Sequence, residues 1–174
     1  MNSETKERFV VNGVFDEDAA LVAVQEEPET IRFIAPVNQT EEVCFITVQE
    51  NGRAIRYIAP ENQTRGVCLT AVQENALAIG DIDPRNQRPE VCMAAIDYAS
   101  YDELDSVIQS IAPENRTPEV CLASVKYKGE LIKYIESEKQ TRDVCLAAAK
   151  ENIGAIKYIR DPEMQKEIRA ILEA

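Results

Sequence analysis

The side chains that could do chemistry in this chain are its cysteines and its carboxylates, because it contains no histidine. A Ser-His-Asp or Cys-His nucleophile pair, an imidazole general base and a mixed Cys/His zinc site all need histidine, so none of them can form. The five cysteines are Cys44, Cys68, Cys92, Cys121 and Cys145, at spacings of 24, 24, 29 and 24 residues. This regularity indicates a repeated structural unit with one cysteine in most copies.

The repeated spacing argues against a bond or a metal between the cysteines. Equivalent residues of stacked helices lie about 8–10 Å apart, whereas a disulfide needs Cα atoms within ~7 Å. A linear row of thiols also cannot converge on one zinc ion. Free cysteine is among the most buried residue types, so we expect five core positions. The sequence predicts no catalytic residue, no metal and no other cofactor.

Each unit predicts two short helices. Small or apolar residues form one broad stripe of a first helix, A, for which Thr40 is the expected N-cap; in the second unit they are Val43, Cys44, Phe45, Thr47 and Val48. A second helix, B, carries a further apolar group in every unit. We expect glycines such as Gly52 and Gly129 to end helix A in the left-handed conformation, and Ala-Pro pairs to end helix B. The two helices would have roughly 11 and 8 residues.

The predicted fold class is all-α, an α-solenoid of about six two-helix repeats with capping ends. Residues 1–15 would form an N-terminal cap, either as a strand or as a helix, anchored by Phe9, Val10, Val11, Val14 and Phe15, and residues 16–174 the repeat domain. Units start near residues 16, 40, 64, 88, 117 and 141, and a C-terminal capping helix starts from about residue 165. Asparagines before each helix A are expected to hydrogen-bond turn backbone in successive units. The hand of the superhelix stays open.

The unit reads approximately T-x-x-V-C-L-x-A-V-x-x-N-G-x-A-I-x-Y-I and resembles a tandem short-helix repeat family of unknown function. The resemblance covers nearly all of residues 16–174 and rests on residues such as Val67, Ala71, Val72 and Asn75. It implies a helical repeat fold and no particular activity. The cysteine column and the 29-residue fourth unit depart from the family pattern.

Charge limits the classes of partner. The chain has 174 residues, 31 acidic and 19 basic side chains and a formal net charge of -12, all of which falls within residues 1–116. Such a chain would be repelled by a phosphate backbone, so we expect no direct nucleic-acid binding. The sequence shows no signal-peptide pattern and no apolar run of the ~20 residues that span a bilayer, which predicts a cytoplasmic protein without a membrane partner.

The regular pattern breaks in units three and four. A basic-aromatic pair recurs in helix B of the outer units, as in Arg56-Tyr57 and Lys133-Tyr134, but is absent from the middle ones. The fourth unit also carries five extra residues, and insertions in repeat arrays are frequently on the binding face. The predicted partner-binding residues, which include an exposed acidic patch with two tyrosines, are Asp81, Asp83, Tyr98, Tyr101, Asp102, Glu103, Asp105, Tyr57 and Tyr134.

These features favour a non-enzymatic scaffold or adaptor that binds a protein partner with a basic surface through the central repeats. The alternative is an acidic inhibitor or nucleic-acid mimic that blocks a nucleic-acid-binding protein. Only the net charge and its uneven distribution along the chain support this alternative. An enzyme is a third class. Its paired carboxylates, Asp81 and Asp83, could hold Mg²⁺ or hydrolyse glycosides, but no supporting motif accompanies them.

Overall fold

The computed structural model describes residues 9–11 and 13–173. Its α-helices are α1 (Glu17–Glu26), α2 (Glu41–Glu50), α3 (Arg65–Glu74), α4 (Pro89–Tyr98), α5 (Leu104–Ser110), α6 (Pro118–Tyr127), α7 (Arg142–Glu151) and α8 (Pro162–Glu173). Six-residue 3₁₀ helices span Pro28–Phe33, Gly52–Tyr57, Ala76–Asp81, Gly129–Tyr134 and Ile153–Tyr158. Three-residue 3₁₀ helices span Pro36–Asn38, Pro60–Asn62, Pro84–Asn86, Pro113–Asn115 and Ser137–Lys139. Two short strands, β1 (Val10–Val11) and β2 (Val14–Phe15), pair antiparallel.

The predicted A helices are α1, α2, α3, α4, α6 and α7, each ten residues long. In α2 the hydroxyl of Thr40 accepts a hydrogen bond from the amide of Val43, and the same cap begins α3, α6 and α7. Val43, Cys44, Thr47 and Val48 are buried as the stripe predicts, whereas Phe45, also placed in the stripe, is exposed. The A helices are therefore specified by local signals, a cap and a helical apolar period.

The predicted B helix is wrong in its geometry. In five units it is a six-residue 3₁₀ helix rather than an α-helix of about eight residues, and in four of these a second, three-residue 3₁₀ helix follows it. The Ala-Pro pairs begin that third element instead of ending helix B, since Ala59 precedes Pro60–Asn62 as its cap. Only the lengthened fourth unit has an α-helix at this place, α5. One repeat thus contains three helical segments in about 24 residues.

The expected left-handed glycines are also wrong. Among the described residues, positive φ occurs only at Gly13, and the residue that follows α2 is Asn51 in an extended conformation. Gly52 is needed for a different reason: a Cβ atom there would lie 2.3 Å from the carbonyl oxygen of Ala71 in the next A helix. The backbones of adjacent repeats approach each other too closely for any side chain at this position.

Contacts follow the order of the repeats. Each A helix packs on the next A helix along the chain, and the 3₁₀ helices of adjacent units pack on each other. The side-chain amide of Asn62 donates to the carbonyl oxygen of Pro36 one repeat earlier at 2.7 Å, and Asn86 and Asn115 repeat this bond. The asparagine prediction is confirmed at these positions, and so is the all-α fold class. The solenoid superhelix stays a prediction.

The two ends close the stack differently from the middle. Residues 1–8 and 12 of the predicted N-terminal cap lie outside the described residues, and the described part is the β1–β2 hairpin. Phe9 and Phe15 pack against the core, whereas Val11 and Val14, also expected to anchor this segment, are exposed. At the other end α8 begins at Pro162 and buries Ile168. Along the described ranges, no helix has the length and apolar character needed to cross a membrane.

Candidate functional site

Buried glutamines at equivalent positions of successive repeats, which the sequence did not reveal, fix the geometry between the repeats. We call these residues the glutamine column. Gln63 is buried, and its side-chain nitrogen donates to the carbonyl oxygens of Ile55 at 3.3 Å and Ile58 at 3.2 Å. Its oxygen accepts from the amide of Asp83 in the next repeat at 2.9 Å. Gln39, Gln87 and Gln140 make the equivalent bonds. These side chains replace the hydrogen bonds that a short 3₁₀ helix leaves unmade.

The fourth unit has Arg116 in the glutamine column. Its guanidinium donates to the carbonyl oxygens of Ile111 at 3.0 Å and Tyr134 at 2.9 Å, and pairs with Glu136 at 2.7 Å. Glu136 stands where the earlier repeats have Ala59, Asp83 or Ala112, so the buried cation and the carboxylate occur together. Pairing offsets the cost of burying the guanidinium. The central joint is thus built with charged groups where other joints use neutral amides.

The cysteine column is buried, as predicted. All five thiols are free, and each Sγ donates to the backbone oxygen five residues earlier, for example Cys68 to Gln63 at 3.5 Å. Burial raises the pKa of the Cys68 thiol to about 11 and that of Cys92 to about 12. A thiol with such a pKa is almost entirely protonated at neutral pH and is a poor nucleophile. The cysteines therefore serve packing in this structure.

The predicted acidic patch is largely neutralised by side chains of the chain itself. The carboxylate of Asp81, whose side chain is only 15% exposed, pairs with Arg53 at 2.8 Å and Arg56 at 2.7 Å. Asp83 caps the Pro84–Asn86 segment through the amide of Arg85 and forms a two-bond pair with its guanidinium. Asp81 and Asp83 are predicted partner-binding residues, but each carboxylate already has a cationic partner within the chain.

Asp105 is held in the same way at the start of α5. It accepts from Lys128, from Lys133 at 3.0 Å and from the hydroxyl of Tyr134 at 3.0 Å. Partial burial acts to raise the pKa of Asp105, but the hydrogen bonds from the two lysines and the tyrosine outweigh it and lower the pKa to about 2. Glu103 accepts from the amide and hydroxyl of Ser100, which lowers its pKa too. Both carboxylates therefore have structural partners, Glu103 within the inserted turn and Asp105 in the following repeat.

The tyrosines divide into two groups. Tyr57 and Tyr134 are half-buried in the 3₁₀ helices, where Lys133 lies 4.7 Å from the ring centre of Tyr134. Tyr98 and Tyr101 are exposed, with 57% and 59% of their surface in solvent. Asp102, between α4 and α5, is exposed as well. Tyr98, Tyr101 and Asp102 are therefore the predicted partner-binding residues that the structure leaves accessible.

A third exposed tyrosine, Tyr127, was missed. It ends α6 as Tyr98 ends α4, and 50% of it is exposed. The four other A helices have glutamate at this position, and two of these glutamates join adjacent repeats: Glu74 accepts from the amide of Gly52 at 2.6 Å and Glu151 from that of Gly129. The signal in the sequence was this exchange of glutamate for tyrosine in the fourth and fifth A helices. It removes a contact between repeats and places two aromatic rings on the surface.

An apolar depression of about 380 Å³ separates α4 from α6 on the outer side of the A helices. Its lining includes Met93, Leu122 and Ala123, and Asp97 accepts from the hydroxyl of Tyr127 at 3.0 Å beside it. Because the insertion with α5 lies between them in the chain, α4 and α6 pack less closely than the other adjacent A helices. The depression is the structural consequence of the irregular fourth unit.

Three of the A helices, α1, α2 and α4, carry an excess of negative charge. Helices α1 and α2 carry six carboxylates and no basic side chain, and α4 carries two carboxylates and no basic side chain. The six-residue 3₁₀ helices instead carry most of the cations that pair with the central carboxylates, such as Arg53, Arg56 and Lys133. The acidic field thus lies on the same layer of helices as the depression.

Comparisons with protein-family models, with curated proteins and with solved structures found no match to this chain. The resemblance to the tandem short-helix repeat family therefore stays a prediction. Within the described ranges, no group of three or more histidine, cysteine or acidic side chains is arranged to hold a metal ion.

Proposed function

We propose that this chain is a non-enzymatic interaction scaffold that binds a basic segment of another protein across the outer faces of α4 and α6. The observation that carries the proposal is the apolar depression between these helices, which is lined by the exposed Tyr127. Tyrosine, with tryptophan and arginine, dominates interaction hot spots, and a concave apolar surface can accept one side chain of a partner. The central repeats are still proposed to bind the partner, as in the sequence-based prediction. The proposed binding surface, however, is on the A helices α4 and α6 rather than on the predicted carboxylates.

The charge around the depression selects the chemistry of the occupant. Asp97 and Glu119 line it together with a single cation, Lys126, and the acidic helices α1 and α2 extend the negative field along the same layer. A partner segment with one apolar side chain between Lys or Arg residues would fill the depression and complement the field. The nucleic-acid mimic is not carried forward, because three central carboxylates already have cationic partners.

A displayed library of random peptides, selected on the purified chain, tests this role. Selected peptides should place an apolar residue next to basic ones, and their affinity should fall with added salt. The double variant Met93→Ala, Leu122→Ala should weaken the best peptide about tenfold, since two anchoring contacts are lost. The matched control is Leu69→Ala, Leu146→Ala, at the same repeat positions outside the depression.

Equal weakening by both double variants, or selected peptides without basic residues, would contradict the proposal. A library that yields no peptide dependent on Met93 and Leu122 would do so as well. Thermal melting of each variant by circular dichroism shows whether it remains folded under the binding conditions.

A further inference from the structure

Three arginines lie close together in the acidic part of the chain, residues 1–116, which otherwise contains few basic side chains. Arg65, Arg85 and Arg88 line one surface depression of about 410 Å³ beside the starts of α3 and α4. Residues 1–116 contain nine basic side chains against 21 acidic ones, so a third of the cations of this region lie in one place. Glu61 is the one acidic residue that lines the same depression.

Comparison of the repeats shows that two of these arginines break the pattern of their columns. At the N-cap position the other units have Asp16, Thr40, Thr64, Thr117 and Thr141, and at the position of Arg85 they have Val37, Glu61, Glu114 and Glu138. Replacement of threonine by Arg88 leaves α4 without a side-chain cap. The loss of a side-chain cap destabilises the start of a helix, so α4 gives up local stability at this position. Departures from a local rule without compensation are typical of functional positions.

Arg88, at the N-cap position of α4, is also matched by a second cation in the preceding repeat, at a place where other repeats pair a hydroxyl with a carboxylate. In the preceding repeats the cap hydroxyl donates to the first-turn carboxylate of the previous A helix, Thr40 to Glu17 at 2.6 Å and Thr64 to Glu41 at 3.3 Å. At the next step of this ladder the two positions hold Arg88 and Arg65. A hydrogen-bonded pair is thus replaced by two cations, an arrangement that an anion between them would stabilise.

The existing ion pairs of these arginines do not prevent the binding of such an anion. Arg65 pairs with Glu90 at 2.7 Å and Arg85 with Asp83 at 2.9 Å, both with well-exposed guanidiniums. Exposed pairs of this kind contribute little net stability, so a doubly charged ligand can compete for the arginines. Arg88 has no hydrogen-bond or ion-pair partner among the described residues, apart from its backbone.

We propose that the depression lined by Arg65, Arg85 and Arg88 binds a phosphate monoester or inorganic phosphate. Guanidinium groups bind phosphate oxygens through two parallel hydrogen bonds, and three of them can surround one tetrahedral anion. The surrounding negative field excludes long polyanions but admits a compact one. This site is separate from the depression between α4 and α6, and its test is independent of the proposed scaffold role.

The primary experiment is a titration of the full chain with inorganic phosphate at low ionic strength, followed by ¹H–¹⁵N NMR of the arginine Nε–H groups and the first amides of α4. We expect saturable shifts at Arg65, Arg85 and Arg88 that sodium chloride of equal ionic strength does not reproduce. Absence of these shifts, or the same shifts with chloride, would overturn the proposal.

Two variants separate binding from folding. Arg88→Thr restores the cap of α4, so it should raise the melting temperature by about 2–4 °C while weakening phosphate binding about tenfold. Arg142→Ala is the matched control, because Arg142 pairs with Glu167 at 2.6 Å as Arg65 does with Glu90 but stands outside the depression. It should leave phosphate binding unchanged. Undiminished binding by Arg88→Thr, or equal losses in both variants, would refute the site.

A second titration identifies the source of the phosphate group. A phosphoserine peptide with neutral flanks that binds about tenfold more tightly than inorganic phosphate assigns the site to a phosphorylated side chain of a partner. Equal affinities assign it to a free phosphate-bearing molecule. A peptide that binds equally well without its phosphate would contradict the proposal.

Discussion

Replacement of Gln63 by leucine tests the buried glutamine column directly. The side chain has nearly the volume of leucine, so the change removes hydrogen bonds without opening a large cavity. Its loss leaves the amide of Asp83 without an acceptor and takes a donor from the carbonyl oxygens of Ile55 and Ile58. An orphaned buried group costs about 1–3 kcal/mol, and the two carbonyls add to it, so we expect about 3 kcal/mol of lost stability.

Urea and thermal unfolding followed by circular dichroism measure this loss. For a chain of this length, about 3 kcal/mol corresponds to a melting temperature lower by roughly 6–12 °C. The amide of Asp83 should also exchange its hydrogen much faster in the variant, because its acceptor has gone. The control is Gln73→Leu on the exposed face of α3, expected to change stability by less than about 0.5 kcal/mol.

The reasoning is refuted if Gln63→Leu destabilises the chain no more than Gln73→Leu does. Unchanged protection of the Asp83 amide would show that the bond between repeats does not contribute as the geometry indicates.

Two further substitutions address the close approach of the repeats and the paired carboxylate of Asp105. Gly52→Ala should cost about 2–3 kcal/mol in urea unfolding, because the new Cβ would meet the Ala71 carbonyl oxygen, whereas Gly66→Ala, with open space inside α3, should gain about 0.5–1 kcal/mol. Similar effects of both changes would argue against the close approach. The lowered pKa of Asp105 means that its pairing stabilises the fold above about pH 4 and that this contribution is lost as the pH falls towards 2. Asp105→Asn should therefore remove about 2 kcal/mol of the acid dependence of unfolding, and an unchanged pH profile would count against the pairing.

The A helices were predictable because their signals are local. Thr40 caps an amide three residues away, and the apolar stripe of α2 needs only the helical period to be recognised. The same reasoning placed the cysteines in the core and gave the repeat boundaries. It failed at Gly52, because a glycine after a helix has two explanations and only the position of the next repeat distinguishes them.

The candidate site was only partly predictable. The exposed Tyr98 and Tyr101 followed from the insertion, which a comparison of repeat lengths reveals. The pairing of Asp81 with Arg53 and Arg56 could not be predicted from the sequence, because these arginines lie 28 and 25 positions before Asp81 in the chain. A free carboxylate and a paired one look the same in a sequence.

By itself, the sequence determined that this protein is built from repeated capped helices with a cysteine in most cores, because caps and periods act within a few residues. Only the tertiary structure decided that helix B is 3₁₀, that Gln63 joins two repeats and that α4 and α6 leave a depression between them. These features depend on which groups adjacent repeats bring face to face. The distance between facing groups of adjacent repeats is set by the packing of whole units, and no local sequence pattern encodes it.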